Sequence, residues 1–197
     1  MFLIYFVKVR GRMTKYYTGV DSRETPQEIL SLMREYSCIM ALKGWSFRSG
    51  GANGADTAFY DGWCDASKEA EIPYGEVYLP WNGFNDFIVG DDCCILVTDK
   101  EIIKKAQEIL KTIHPAYDKL TRGPLALHTR NVFQVLGKDL QTPSKGLVGY
   151  AKTDKKGNPM GGTATAINLA LKHEIPVRNL YKEEDRKFIE EFVERNK

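Results

Sequence analysis

Glycine-rich turns placed where a β-prone run gives way to a helical pattern constrain this chain more than any other feature. The turns span 19–23, 49–56 and 160–165. Around them, short apolar or β-branched runs at 15–20, 45–49, 76–79, 93–98, 147–151 and 176–180 read as strands. Segments with helical periodicity lie between them, at 26–42, 57–67, 100–113, 122–136, 166–172 and 183–196. Strict alternation of strand and helix predicts an α/β fold, a mostly parallel sheet with helices on both faces. In such sheets ligands bind outside the carboxyl ends of the strands, where these turns fall. Local signals agree with the pattern. Thr25 and Glu28 have capping-box spacing around Pro26, and Gly44 stands where the first helix must stop. On the last helix, Phe188, Ile189, Phe192 and Val193 form one apolar face.

At 197 residues the expectation is one domain covering 1–197, with an additional strand in 1–12 and the amphipathic helix over 181–197. Met1 to Val7 is apolar but precedes Lys8, Arg10 and Arg12, the reverse of a signal peptide, so it reads as a strand. No run approaches the roughly 20 apolar residues that cross a bilayer, so no membrane partner is expected. Cys38, Cys64, Cys93 and Cys94 form no CxxC pair and have no neighbouring histidine cluster. Reduced, mostly buried thiols and a cytoplasmic location are expected, without metal or cofactor. The net charge of +2 hides a split. Residues 50–99 carry 1 basic and 10 acidic side chains, and residues 100–160 carry 12 and 5. Such a balance suits a small anionic ligand better than a long polyanion.

The strongest turn is Ser49-Gly50-Gly51-Ala52-Asn53-Gly54-Ala55-Asp56-Thr57. Its glycines permit close backbone approach to an anion, and the helix start behind them supplies N–H donors and partial positive charge. Asp56 is placed as a helix cap or as a partner for a ribose hydroxyl. Neither Walker A nor GxGxxG matches it. Gly161-Gly162-Thr163-Ala164-Thr165 opens another helix, and its hydroxyls suit phosphate oxygens. Arg130, beside Asn131, is a candidate for bidentate phosphate contact, as is Arg23 beside Ser22 after the first strand, which carries Gly19. Trp81, Phe84 and Phe87 suit base stacking or core packing. His114, His128 and His173 lie at no metal-ligand spacing, and Asp91 and Asp92 read as solvated.

These motifs, in this order, resemble the SLOG superfamily, which includes the DNA-processing protein DprA and the Lonely Guy phosphoribohydrolases. The similarity spans 15–180. The segments HTRNVFQVLGKDLQTPS and GGTATAINLALKHEIPVRNL also resemble DprA-like proteins common in bacteriophages. The DprA turn SGxAxGID resembles Ser49 to Asp56, its Arg-Asn pair falls on Arg130 and Asn131, and its SGSLxTA helix start falls loosely on Gly161 to Ala166. Lonely Guy enzymes carry PGGxGTxxE, whereas here Met160 replaces the proline, Ala164 the third glycine and Asn168 the glutamate. An amide does not serve as the carboxylate of N-glycosidic cleavage, which counts against that activity.

The resemblance implies a Rossmann-like fold binding a nucleotide or nucleotide-derived ligand through its phosphate. It also implies a homo-oligomer and, for a phage protein acting in the host cytoplasm, sequestration of a nucleotide defence signal. Two alternatives are single-stranded DNA binding by the basic 100–160 segment, and bond cleavage with Asp56 or Asp92 in place of the missing glutamate. The expected ligand contacts are Gly19, Ser22, Arg23, Ser49, Gly50, Gly51, Asn53, Gly54, Asp56, Thr57, Arg130, Asn131, Gly161, Gly162, Thr163 and Thr165.

Overall fold

A computed structural model describes residues 14–21, 24–90 and 93–197, with the Asp21 side chain outside the description. The expected strand in 1–12, and Ser22, Arg23, Asp91 and Asp92, lie outside the described residues. Among those described, six strands form one sheet: β1 (Lys15–Asp21), β2 (Trp45–Ser49), β3 (Glu76–Tyr78), β4 (Cys94–Ile95), β5 (Leu147–Tyr150) and β6 (Val177–Asn179). Their order is β4-β3-β2-β1-β5-β6, and every neighbouring pair is parallel. The chain builds outward from β1 to β4, then crosses back to lay β5 beside β1. That reversal between β1 and β5 is the topological switch of a doubly wound, Rossmann-like sheet.

The connecting helices are α1 (Gln27–Leu42), α2 (Ala55–Glu69), α3 (Lys100–Lys111), α4 (Arg122–Leu136), α5 (Thr163–Lys172) and α6 (Glu183–Glu194). Side chains alternate across each strand, so the sheet feeds two cores. Tyr17, Phe47, Val77 and Val148 face α1, α2 and α6, where Ile29, Met33, Phe59 and Ile189 are buried against them. Val20, Tyr78 and Leu147 face the other way, toward Leu110, Val132, Leu136 and Leu169 of α3, α4 and α5. Two glycines record how closely the layers approach. An added Cβ at Gly62 in α2 would stand 2.1 Å from the Arg34 carbonyl oxygen of α1. One at Gly19 would stand 2.4 Å from the Phe59 ring of α2, which gives Gly19 a packing reason for being small.

Several local expectations shift. Pro26 itself takes the N-cap of α1, with an extended ψ of 149°, one position later than the capping-box reading. Gly54, at φ 111°, caps α2, so the helix starts at Ala55 and Asp56 lies in its first turn rather than at the cap. Thr163 and Thr165, read as turn residues, belong to α5. On α6, Ile189 and Val193 are buried and Phe192 packs on the core, but Phe188 is exposed with the Arg178 guanidinium 4.0 Å above its ring. That cation–π contact compensates the ring for missing the core.

Candidate functional site

The glycine-rich turns after β2 and before α5 meet on two adjacent residues of α4. From just past the middle of α4, the Arg130 side chain reaches the turn at the end of β2. Its Nη1 donates to the Gly50 carbonyl at 2.6 Å, and Nη2 donates to Asn131 Oδ1 at 3.0 Å. Asn131 in turn donates from Nδ2 to the Gly162 carbonyl at 3.1 Å. One Arg-Asn pair therefore ties the two turns together. Gly50 is required for the fit, since a Cβ there would lie 2.4 Å from the guanidinium carbon of Arg130.

Beneath the β2 turn, Asp56 is 2% exposed and Arg130 is 9% exposed, and they pair at 3.4 Å between Oδ2 and Nη1. Asp56 also accepts from the Ala52 amide at 3.1 Å, which folds the turn over the start of α2. Burial pushes the Asp56 carboxyl above the ordinary aspartate range, and the Arg130 charge and the Ala52 amide oppose that shift. Ser49 Oγ donates to the Gly19 carbonyl at 3.0 Å, and Thr57 Oγ1 donates to the Ala52 carbonyl at 3.1 Å. These contacts shape the turn from within. Asp56 is enclosed on the protein side, and Asp92 lies outside the described residues.

Both helices begin on glycine. Gly54 of α2 and Gly162 of α5 bring no side-chain cap, so the first-turn amides of each helix receive no acceptor from the cap residue. Above Gly161 (φ +76°) and Gly162 the space is open, with no atom within 4 Å of where a Cβ would stand. Behind them Thr163 is 3% exposed, and its hydroxyl is among the buried side-chain atoms with no hydrogen-bond partner. The arrangement offers oriented donors and a hydroxyl without a hydrogen-bond partner, which is the chemistry of an anion site.

The expected contacts do not all face one opening. Gly50, Arg130, Asn131, Gly162 and Thr163 converge on the α4 junction. Asn53, Gly54 and Thr57 instead line a groove of ≈ 330 Å³ against α1, with Gln27, Ser31 and Arg34. Gly51 (φ +67°) turns toward the β3–β4 connection, where Asn85 Nδ2 donates to its carbonyl at 3.0 Å. Thr165 points into the protein, 2.9 Å from His128 Nδ1.

Sequence reasoning did not foresee the histidine pair. His114 follows α3 and His128 lies on α4, yet their rings meet edge-to-face at 4.5 Å. Burial, with His114 and Arg130 nearby, pushes His128 down to about 4. Phe84 is buried with the Arg130 guanidinium 5.9 Å from its ring, whereas Trp81 stays exposed at 43%. Phe84 thus takes the packing role, with Trp81 against it at 5.1 Å. Among the described residues no group of three or more His, Cys, Asp or Glu is arranged to hold a metal, and no helix is long and apolar enough to cross a membrane.

No protein-family model matches the chain, and no curated protein does. Among solved structures, it is similar to the molybdenum cofactor carrier protein of Chlamydomonas reinhardtii. The identity is 20%, covering 91% of this chain and 85% of that one, with a TM-score of 0.50. A DNA processing protein A from Helicobacter pylori, described for its single-stranded DNA binding, is 12% identical over 93% of this chain and 82% of its own, with a TM-score of 0.39. The similarity to the carrier protein is one of fold.

Proposed function

We propose that this protein binds a phosphate-bearing, nucleotide-type ligand on the paired turns, within the SLOG-like group that its motifs resemble. The observation that carries the reading is the junction on α4. Arg130 holds Gly50 and Asn131 holds Gly162, so the turn after β2 is tied to the uncapped start of α5 with Thr163 behind it. In this reading Arg130 and Asp56 are positioning residues. They set the turn, and the amides of α5 with the Thr163 hydroxyl receive the phosphate. Ligand capture rather than cleavage follows from the chemistry of the opening. Asn168 stands where the related hydrolases carry glutamate, and Asp56 is enclosed by Arg130 and the Ala52 amide.

Calorimetry with inorganic phosphate, ribose 5-phosphate and a short single-stranded oligonucleotide tests the proposal. Binding of both small phosphates, weakened about tenfold or more by Gly162→Val, is expected, a change of about 1.4 kcal/mol. Absence of binding by both, or tight binding only of the oligonucleotide with a steep salt dependence, overturns it in favour of a polyanion site.

A further inference from the structure

One ion pair spans the crevice at the point where the strand order reverses. Lys152, two residues past the end of β5, meets Glu24, three residues past the end of β1, at 2.7 Å between Nζ and Oε2. β1 and β5 are neighbours in the sheet, and their last rung pairs Asp21 with Tyr150. The backbone that carries Lys152 is fixed on both sides. Ala151 is held by Asn179, which accepts from its amide at 2.9 Å and donates to its carbonyl at 2.8 Å. Beyond it, 152–160 folds back as a hairpin. Thr153 bridges Pro159 antiparallel, and the Met160 amide donates to the Lys152 carbonyl at 2.8 Å. The Asp154 carboxylate braces the tip by accepting from the Lys156 and Asn158 amides at 2.8 and 2.9 Å. Lys152 therefore stands across the hairpin from the residue before Gly161, at the margin of the α5 turn.

We propose that Lys152 is a phosphate-binding residue of that turn, and that the Glu24 carboxylate occupies its ammonium until the ligand's phosphate displaces it. The inference rests on the proposed phosphate site and adds the mobile cation to it. Arg130 is committed to the Gly50 carbonyl, Asn131 and Asp56, so it stays in place as a clamp. A lysine on a braced backbone is the opposite case, because its ammonium rides a flexible stem and swings without moving the chain. Parting the pair costs little, since the side chains are 53% and 69% exposed. Each partner keeps the other charged. The pairing holds the Glu24 carboxyl below the ordinary glutamate range and the Lys152 ammonium above the ordinary lysine range. A phosphate monoester carries about −1.5 to −2 at pH 7 and three acceptor oxygens, against −1 and two for a carboxylate, so the exchange favours the ligand. Glu24 thereby acts as an internal competitor, and it lowers phosphate affinity in the free protein.

Calorimetry of the full chain with inorganic phosphate and ribose 5-phosphate tests the exchange through the sign of two substitutions. Lys152→Met is expected to weaken binding about tenfold, whereas Glu24→Gln, which breaks the same pair, is expected to tighten it about threefold. In the double variant the gain from Glu24→Gln is expected to vanish, because no ammonium remains to be freed. Lys156→Met makes the same charge change at the hairpin tip and is expected to shift affinity less than about twofold. Melting curves confirm that each variant is folded. If both single variants weaken binding, the pair only braces the hairpin, and the exchange is wrong while the phosphate site stands. A gain from Glu24→Gln that persists without Lys152, or a loss from Lys156→Met equal to that from Lys152→Met, reports overall charge and also overturns it. If neither the wild type nor Glu24→Gln binds either probe, the phosphate site and the exchange both fall.

Discussion

Replacing Arg130 with leucine probes the junction most sharply, because the guanidinium is engaged by Gly50, Asn131, Asp56 and the Phe84 ring and meets almost no solvent. Arg130→Leu removes the 2.6 Å bond to Gly50, the 3.0 Å bond to Asn131 and the 3.4 Å pairing with Asp56. Asp56, 2% exposed, then keeps its neutral hydrogen-bond donors, the Ala52 amide among them, and has lost the Arg130 charge. Breaking one side of a buried pair costs about 3–5 kcal/mol, far more than losing a solvent-exposed pair. Urea unfolding followed by tryptophan fluorescence at pH 7 measures the loss. A double variant, Arg130→Leu with Asp56→Asn, removes the stranded charge and is expected to recover at least about 1.5 kcal/mol of it, a coupling typical of contacting residues. The pH dependence has a definite sign. The folded Asp56 pKa is raised already, and losing Arg130 raises it further. A group with a raised folded pKa is least costly when protonated, so the variant's deficit shrinks as pH falls from 7 toward the unfolded aspartate value near 4. A deficit under about 1 kcal/mol at pH 7, or a double variant no better than the single, would show that Arg130 is not the clamp described here.

Three further outcomes follow from other contacts. His128 is held down to about 4 by burial, so the folded chain resists its protonation. Wild-type stability should fall as pH drops from about 6.5 to about 4, and His128→Gln should flatten that part of a melting-temperature profile. Gly62→Ala, in an exposed helix, would gain up to about 1 kcal/mol of propensity. Here the new Cβ would meet the Arg34 carbonyl oxygen at 2.1 Å, so chemical denaturation should instead show a net loss of about 1–3 kcal/mol. Thr163→Val exchanges a buried hydroxyl that has no hydrogen-bond partner for a methyl group. The melting temperature should hold or rise while phosphate affinity falls, a combination that a purely structural threonine would not give.

Much of the fold was legible because strand and helix periods alternate cleanly. The bounds of β2 and α4 agree with the sequence at both ends. Expectations failed where a single residue's dihedral decides the boundary. Gly54 at φ 111° starts α2 two residues early, and β4 keeps only Cys94 and Ile95 in the ladder although 93–97 is apolar throughout. The apolar remainder, Leu96 and Val97, lines a cavity beside α3 and α4 instead, a role that hydropathy does not distinguish from a strand. At the site, the turns and the Arg-Asn pair could be named from the sequence, but not the directions of their side chains. Arg130 was expected to face an anion, and it clamps the Gly50 carbonyl and Asp56. His114 and His128 are 14 positions apart on different elements, so only the packing of α3 on α4 brings their rings together.

The central claim is that two turns, far apart in sequence, make one phosphate site. Backbone amide shifts of the isotope-labelled protein during titration with inorganic phosphate test it most directly. The account predicts that the amides of Gly50, Gly162 and Thr163 move together along one saturation curve, and that Thr163→Val weakens the response at both turns. Movement at one turn alone, or separate curves for the two, would contradict it.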